Sequence, residues 1–254
     1  MSTAPLLAAH ALAIGHPRRT VGENINLQLA GGEVLCLLGP NGTGKTTLFR
    51  TLLGVLPARG GQIEIAGQPL ARWSRSQLAG KLAYVPQNPA LPFAFSLEEV
   101  VLMGRIAHGS PFRQPSRQDR ALAAEALHSL GIAHLAGRAC TEVSGGERQL
   151  ALIARALAQQ AEVLILDEPT SSLDFGNQLR VLDCLSSLRA RGLAVLLSTH
   201  QPEHALRIAD RILFLKRGQL IASGGRELIT PAALARLYDS DETLIAAGLG
   251  MHTR

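Results

Sequence analysis

The sequence predicts an α/β fold: a nucleotide core built on a parallel sheet, an N-terminal antiparallel β subdomain and an inserted helical subdomain. Three observations predict it. The runs Glu33 to Leu38, Val163 to Leu166 and Leu193 to Leu197 are short and largely apolar, as strands buried on both faces must be. Each ends at residues with useful chemistry: Gly39-Pro40-Asn41-Gly42-Thr43-Gly44-Lys45-Thr46-Thr47, Asp167-Glu168, and Ser198-Thr199-His200. Finally, residues from about 88 to 160 carry helix signals and no convincing strand.

Taken in order, Leu6 to Ile14 is apolar and extended, and His16-Pro17-Arg18-Arg19 breaks it. Ile25, Leu27 and Leu29 then alternate with polar residues, as in a half-buried strand. Gly31-Gly32 turns into the first buried strand. After the glycine-rich run, Thr47 to Leu53 continues with helical spacing; Pro57 and Gly60-Gly61 mark a turn, and Gln62 to Ile65 alternates again. The antiparallel subdomain is therefore expected mainly over 1–32 and 60–70. Lys81 to Val85 is the next strand, stopped by Pro86-Gln87-Asn88-Pro89, and Phe93 and Phe95 place apolar bulk in a loop.

The helical insertion opens with Ser96 and Glu99 at capping-box spacing. Ser116 with Asp119 caps a second helix that ends near Gly131, and a third carries Leu150, Ile153, Ala154 and Leu157. Asp174 caps a long helix with Val181, Leu182, Leu185 and Leu188 on one face. Arg211 to Leu215 and Gln219 to Ala222 flank Lys216-Arg217-Gly218 as a hairpin, and Thr230-Pro231 starts a last short helix through Leu237. The 254 residues suffice for a single domain of this kind.

Composition narrows the class. No stretch approaches the ~18 apolar residues of a membrane-spanning helix, and the N-terminus has no charged region leading into a long apolar segment. Cys36, Cys140 and Cys184 lack metal-ligand spacing and read as packed thiols. These features predict a cytoplasmic protein. The net charge is +5, but the arginines are scattered and aromatics are scarce, so no nucleic-acid platform is expected. A basic surface also suits the cytoplasmic face of an anionic membrane.

The glycine-rich run matches the pattern G-x-x-x-x-G-K-[ST] between a strand and a helix. Glycines let successive backbone N–H groups turn inward as a nest for phosphate oxygens, and the helix that follows aims its positive end at the same place. Lys45 can reach the β- and γ-phosphates and the Thr46 hydroxyl can ligate Mg²⁺, which makes the core that of a P-loop NTPase. Asp167 is placed to hold the metal and Glu168 to accept a proton from the attacking water. Alone, an Asp-Glu pair after a strand reads equally as a helix cap, His200 as a structural histidine and Gln87 as a loop residue. With the phosphate loop in the same chain, His200 at a strand end points to a γ-phosphate contact.

Together these residues resemble the ATP-binding subunit of ABC transporters over nearly the whole chain. The key addition is Val143-Ser144-Gly145-Gly146-Glu147, similar to the family's LSGGQ signature. By itself it is also a well-capped helix start. The resemblance implies a head-to-tail homodimer with two composite sites. Each takes Lys45, Thr46, Gln87, Asp167, Glu168 and His200 from one chain, and Ser144, Gly145 and Gly146 from the other. Ser171 to Asp174 matches the D-loop that links the two sites. Gln87 is implied to touch the Mg²⁺ region and to signal to a permease.

Two positions depart from the family pattern. His16 stands where an aromatic residue usually stacks on adenine, so base contact is weaker or shared with Arg18 or Arg19. Glu147 replaces glutamine; its carboxylate can still accept ribose hydrogen bonds but brings a charge near ATP.

The stretch from Pro92 to Arg105 resembles importers of metal chelates such as iron siderophores, haem, cobalamin or molybdate. The expected partners are integral-membrane permease subunits and, through them, a periplasmic or extracellular substrate-binding protein. The expected location is the cytoplasmic face of the cell's inner membrane, and the Phe93/Phe95 loop is a candidate permease socket. A soluble ABC-type ATPase of assembly or repair, and a P-loop kinase or GTPase, are the competing readings. Long coiled-coil insertions or paired cassettes would favour the former; Ser144-Gly145-Gly146 weighs against the latter.

Overall fold

A computed structural model of the chain describes residues 4–87, 94–108, 114–171 and 173–249. The chain runs through β1 (Leu7–His16), β2 (Arg19–Leu29), β3 (Val34–Leu38), α1 (Lys45–Leu52), β4 (Gly60–Ile65), β5 (Gln68–Pro69), α2 (Arg75–Ala79) and β6 (Leu82–Val85). Then come α3 (Leu97–Leu102), α4 (Arg117–Ser129), α5 (Gly145–Ala158), β7 (Val163–Asp167), α6 (Phe175–Ala190) and β8 (Ala194–Thr199). It closes with α7 (Pro202–Ile208), β9 (Arg211–Lys216), β10 (Gln219–Gly224), α8 (Pro231–Tyr238) and α9 (Glu242–Gly248).

These strands form two sheets. The smaller is antiparallel in the order β2-β1-β4-β5; the larger has the order β10-β9-β3-β8-β7-β6. In the larger sheet every pairing is parallel except that of the edge strand β10. β3, β7 and β8 are buried along their whole length, which is why they read as continuous apolar runs. Alternate residues of β3 serve opposite faces. Leu35 and Leu37 pack with Leu7, Ile14, Ile25, Leu48 and Phe49 under the antiparallel sheet and α1. Val34, Cys36 and Leu38 pack with Leu150, Leu182, Ile208 and Leu234 of the helical layer. Burial pushes the Cys36 thiol up to about 12, so it behaves as a packed apolar group.

The α/β fold is as the sequence predicts, with local differences. The stretch from His16 to Arg19 is not a break between segments. It is a tight hairpin in which His16 pairs with Arg19 and the two strands continue. Three helices go unread in the sequence. α2 is closed by a box between Ser74 and Gln77, α7 opens on Pro202, and α9 starts on the Asp241 cap. All three are too short to set up a periodic apolar pattern. Phe93 lies outside the described residues, and Phe95 is 36% exposed.

Candidate active site

The register of the parallel sheet assembles the site. Leu38 pairs with Thr199 and Asp167 with Ser198, so the carboxyl ends of β3, β8 and β7 lie side by side. Ligands in open α/β sheets bind at such ends. Gly44 enters α1 with φ 105°, and a Cβ there would meet Val21 Cγ1 at 2.8 Å, so both conformation and space require glycine.

Lys45 is buried with its Nζ donating to the carbonyls of Gly39 (2.7 Å) and Pro40 (3.0 Å), while Thr43 Oγ1 donates to Pro40 O at 2.9 Å. Lys45 Nζ also lies 3.0 Å from Glu168 Oε1, and both side chains are 5% exposed. Such a pair is tolerated because each charge keeps further hydrogen bonds. Glu168 Oε2 accepts from Gln87 Nε2 at 3.0 Å and meets His200 Nδ1 at 3.1 Å. Glu168 itself has φ 46°, an uncommon conformation for a residue with a Cβ, directly at the end of β7.

Asp167 lies beneath Glu168. Its Oδ2 accepts from Thr46 Oγ1 at 2.6 Å and its Oδ1 from Ser198 Oγ at 2.7 Å. Ser198 Oγ in turn accepts the Glu168 backbone N–H at 3.0 Å. Burial first, and then the Asp167 carboxylate, pushes the phenol of neighbouring Tyr84 up to about 12, so it keeps its proton. Among the described residues no cluster of three or more His, Cys, Asp or Glu could cage a metal. Thr46 and Asp167 nevertheless offer hard oxygens side by side. That suits Mg²⁺, which takes one or two protein carboxylates and completes its shell with water and phosphate.

Over these groups opens a cleft of about 420 Å³. His16, Arg19 and Val21 of the β1–β2 hairpin form one wall, Asn41, Gly42, Gly44, Lys45, Thr46 and Thr47 the floor, and Gln87 and Glu168 the far side.

The remaining candidates gather elsewhere. Ser144, Gly145, Gly146, Glu147 and Asp174 do not line this cleft. Ser144 caps α5: its Oγ accepts from Glu147 N at 3.2 Å and Glu147 Oε2 accepts from Ser144 N at 2.8 Å. The Ser144 backbone N–H is the main reason the Glu147 carboxyl titrates below its usual range. Asp174 caps α6 through Asn177 N at 2.9 Å. A Cβ on Gly146 would stand 2.5 Å from Asn177 Nδ2, so the starts of α5 and α6 abut. The sequence-identified residues thus form two groups: one around Lys45, and one at two adjoining helix starts.

Comparison with known proteins identifies the family. The ABC transporter family model matches residues 22–171, more than half of the chain. This chain belongs to the ABC transporter family. It is an ATP-binding subunit, and such subunits are ATPases. It is 41% identical over 239 residues to the hemin import ATP-binding protein HmuV of Pseudomonas fluorescens, covering 92% of each chain. It is 34% identical over 241 residues to the iron(3+)-hydroxamate import ATP-binding protein FhuC of Bacillus subtilis, covering 94% of this chain and 90% of that one. Among solved structures, an inward-facing transporter described as metal-chelate type superposes with TM-score 0.81 at 36% identity, over 92% of this chain and 88% of that one.

Ser198 joins this candidate site through bonds that no motif announces: in the sequence it is one of three strand-end residues, and its bonds to Asp167 and the Glu168 N–H depend on β7 and β8 being neighbours.

Proposed function

We propose that this subunit hydrolyses Mg-ATP between two head-to-tail copies of itself and thereby powers import of an iron chelate through a separate membrane permease. The observation that carries the reading is the division of the site residues into two groups. Ser144 and Gly146 form an anion-ready helix start that contributes nothing to the cleft beside Lys45 in the same chain. A two-fold dimer brings each group to the other chain's counterpart. The hemin and hydroxamate importers among its relatives support an iron chelate as cargo.

On this reading the loop amides and Lys45 bind the phosphates, and His16 with Arg19 meets the base. Thr46, Asp167 and Gln87 are the residues that would hold Mg²⁺. The metal, when bound, neutralises charge on the β- and γ-phosphate oxygens. Phosphate oxygens present Lys45 with a second anion, which loosens its pairing with Glu168 and frees that carboxylate to take a proton from water. Gln87 and His200 hold the other carboxylate oxygen and keep it in place. The described residues contain no helix long and apolar enough to cross a membrane, so a permease has to supply the pathway. An apolar hollow of about 640 Å³, bordered by Val55, Leu70, Trp73 and Tyr84, opens beside β6, the strand that leads to Gln87. Together with the Phe95 loop it is the surface we assign to the permease, with a periplasmic or extracellular binding protein engaged on the far side. The subunit then sits peripherally on the cytoplasmic face of the inner membrane.

Glu168→Gln is the test. The variant is expected to bind ATP, to lose about 10²- to 10⁴-fold in hydrolysis, and to run as an ATP-dependent dimer in size-exclusion chromatography. Hydrolysis at the wild-type rate, or a monomer at saturating Mg-ATP, refutes the reading.

A further inference from the structure

Helix α8 reaches back into the site. Tyr238, the last residue of α8, donates its hydroxyl to the carbonyl oxygen of His200 at 2.8 Å. His200 lies in the short turn between β8 and α7, where Gln201 N donates to Thr199 Oγ1 at 3.0 Å. Two side-chain hydroxyls, from Thr199 and Tyr238, therefore fix the backbone of this turn, and the imidazole it carries meets Glu168 Oε2.

The anchor is itself held. Tyr238 is partly buried against the helical-side core, and burial raises its phenol pKa, so the hydroxyl keeps its proton throughout the physiological range. Next to it, Asp239 pairs with Lys216 at 2.5 Å and Arg217 at 3.2 Å, and the Lys216 amine also donates to the Arg236 carbonyl. These contacts tie the end of α8 to the β9–β10 hairpin. Tyr238 lies beyond the residues matched by the family model, so no motif assigns it a role.

We propose that Tyr238 is a positioning residue for ATP hydrolysis, holding the His200 turn so that the imidazole stays between Glu168 and the terminal phosphate. The proposal rests on reading His200 as the phosphate contact. Tyr238 acts on the placement of His200 and not on nucleotide affinity, because its hydroxyl bonds the His200 carbonyl and not a group of the phosphate loop.

Tyr238→Phe removes one oxygen and keeps the ring in the core. Wild type, Tyr238→Phe, His200→Ala and the double variant are to be compared by steady-state kcat and KM for ATP and by single-turnover hydrolysis. The expected result for Tyr238→Phe is a kcat lower by about five- to tenfold, with KM within about twofold of wild type. In the His200→Ala background the same substitution is expected to change the residual single-turnover rate by less than about twofold, since its target is gone. A Tyr238→Phe kcat equal to wild type, alongside an inactive His200→Ala, overturns the proposal and leaves the His200 reading standing. Equal losses in both backgrounds also overturn it, by making Tyr238 a general structural residue. Wild-type hydrolysis by His200→Ala overturns the phosphate-contact reading and the proposal with it.

Discussion

Two adjacent acidic residues have different surroundings, and one hydroxyl stands between them. Ser198 Oγ donates to the Asp167 side chain and accepts the Glu168 backbone N–H, so it sets where β7 ends and Glu168 turns outward. Asp167 is then held from below by Ser198 and Thr46, while Glu168 rises into the company of Lys45, Gln87 and His200. Ser198→Ala leaves a buried N–H without its acceptor and a carboxylate oxygen short of a donor, a loss of about 1–3 kcal/mol. The expected outcome is a Tm lower by several degrees and a kcat lower by about tenfold, with both followed on the same purified variant. A kcat that stays at wild type while Tm drops would limit Ser198 to stability.

At the scale of elements, the loop after Glu168 is braced by α7. Buried His204 on that helix faces Thr170 Oγ1 through Nδ1 at 3.1 Å. Burial holds its pKa below 6.5, helped by His200 and opposed by the Glu203 carboxylate. The native state therefore binds fewer protons at this site than the unfolded chain does. The stability it contributes is complete above about pH 6.5 and is lost as the pH falls through and below that value, with a slope of at most ~1.4 kcal/mol per pH unit. Thermal unfolding followed from pH 7.5 to 5.5 should show this loss, and His204→Gln should flatten it. An unchanged acid slope in the variant assigns the effect to other groups.

The elements most legible in the sequence are those under the strongest constraint. β3, β7 and β8 are buried on both faces and can only be apolar runs; α3, α4 and α5 each begin with a serine whose capping partner stands three residues on. α2, α7 and α9 escape because five to seven residues are too few to establish a periodicity, although Ser74 and Gln77 give α2 a box of the same kind. The phosphate loop is legible because its geometry demands glycine and lysine at fixed spacing. Ser198 and Tyr238 are not, because their partners lie on other strands or helices, and the order β9-β3-β8-β7 has no sequence signature.

At the scale of the whole molecule, the proposed reading gives one subunit two half-sites and an apolar hollow, which calls for a second copy and a membrane partner. Affinity purification of the tagged chain from detergent-solubilised membranes of its own host should bring down a polytopic protein in about equal amount. Recovery of the chain alone, from membranes that contain it, would favour a soluble assembly or repair ATPase. This experiment addresses transport independently of the hydrolysis chemistry, which the Glu168 and Ser198 variants report.

The hairpin that carries His16 and Arg19 is interlocked with the far end of the parallel sheet: a Cβ on Gly22 would fall 2.3 Å from the Gly218 carbonyl oxygen, and Val21 lies directly under Gly44. On the proposed reading, the base end and the phosphate end of the cleft therefore share one closely packed frame and are expected to keep a fixed spacing. Spectroscopic labels placed across the cleft are expected to record a constant span through the ATP cycle; a span that changes with nucleotide would show its two ends moving against each other.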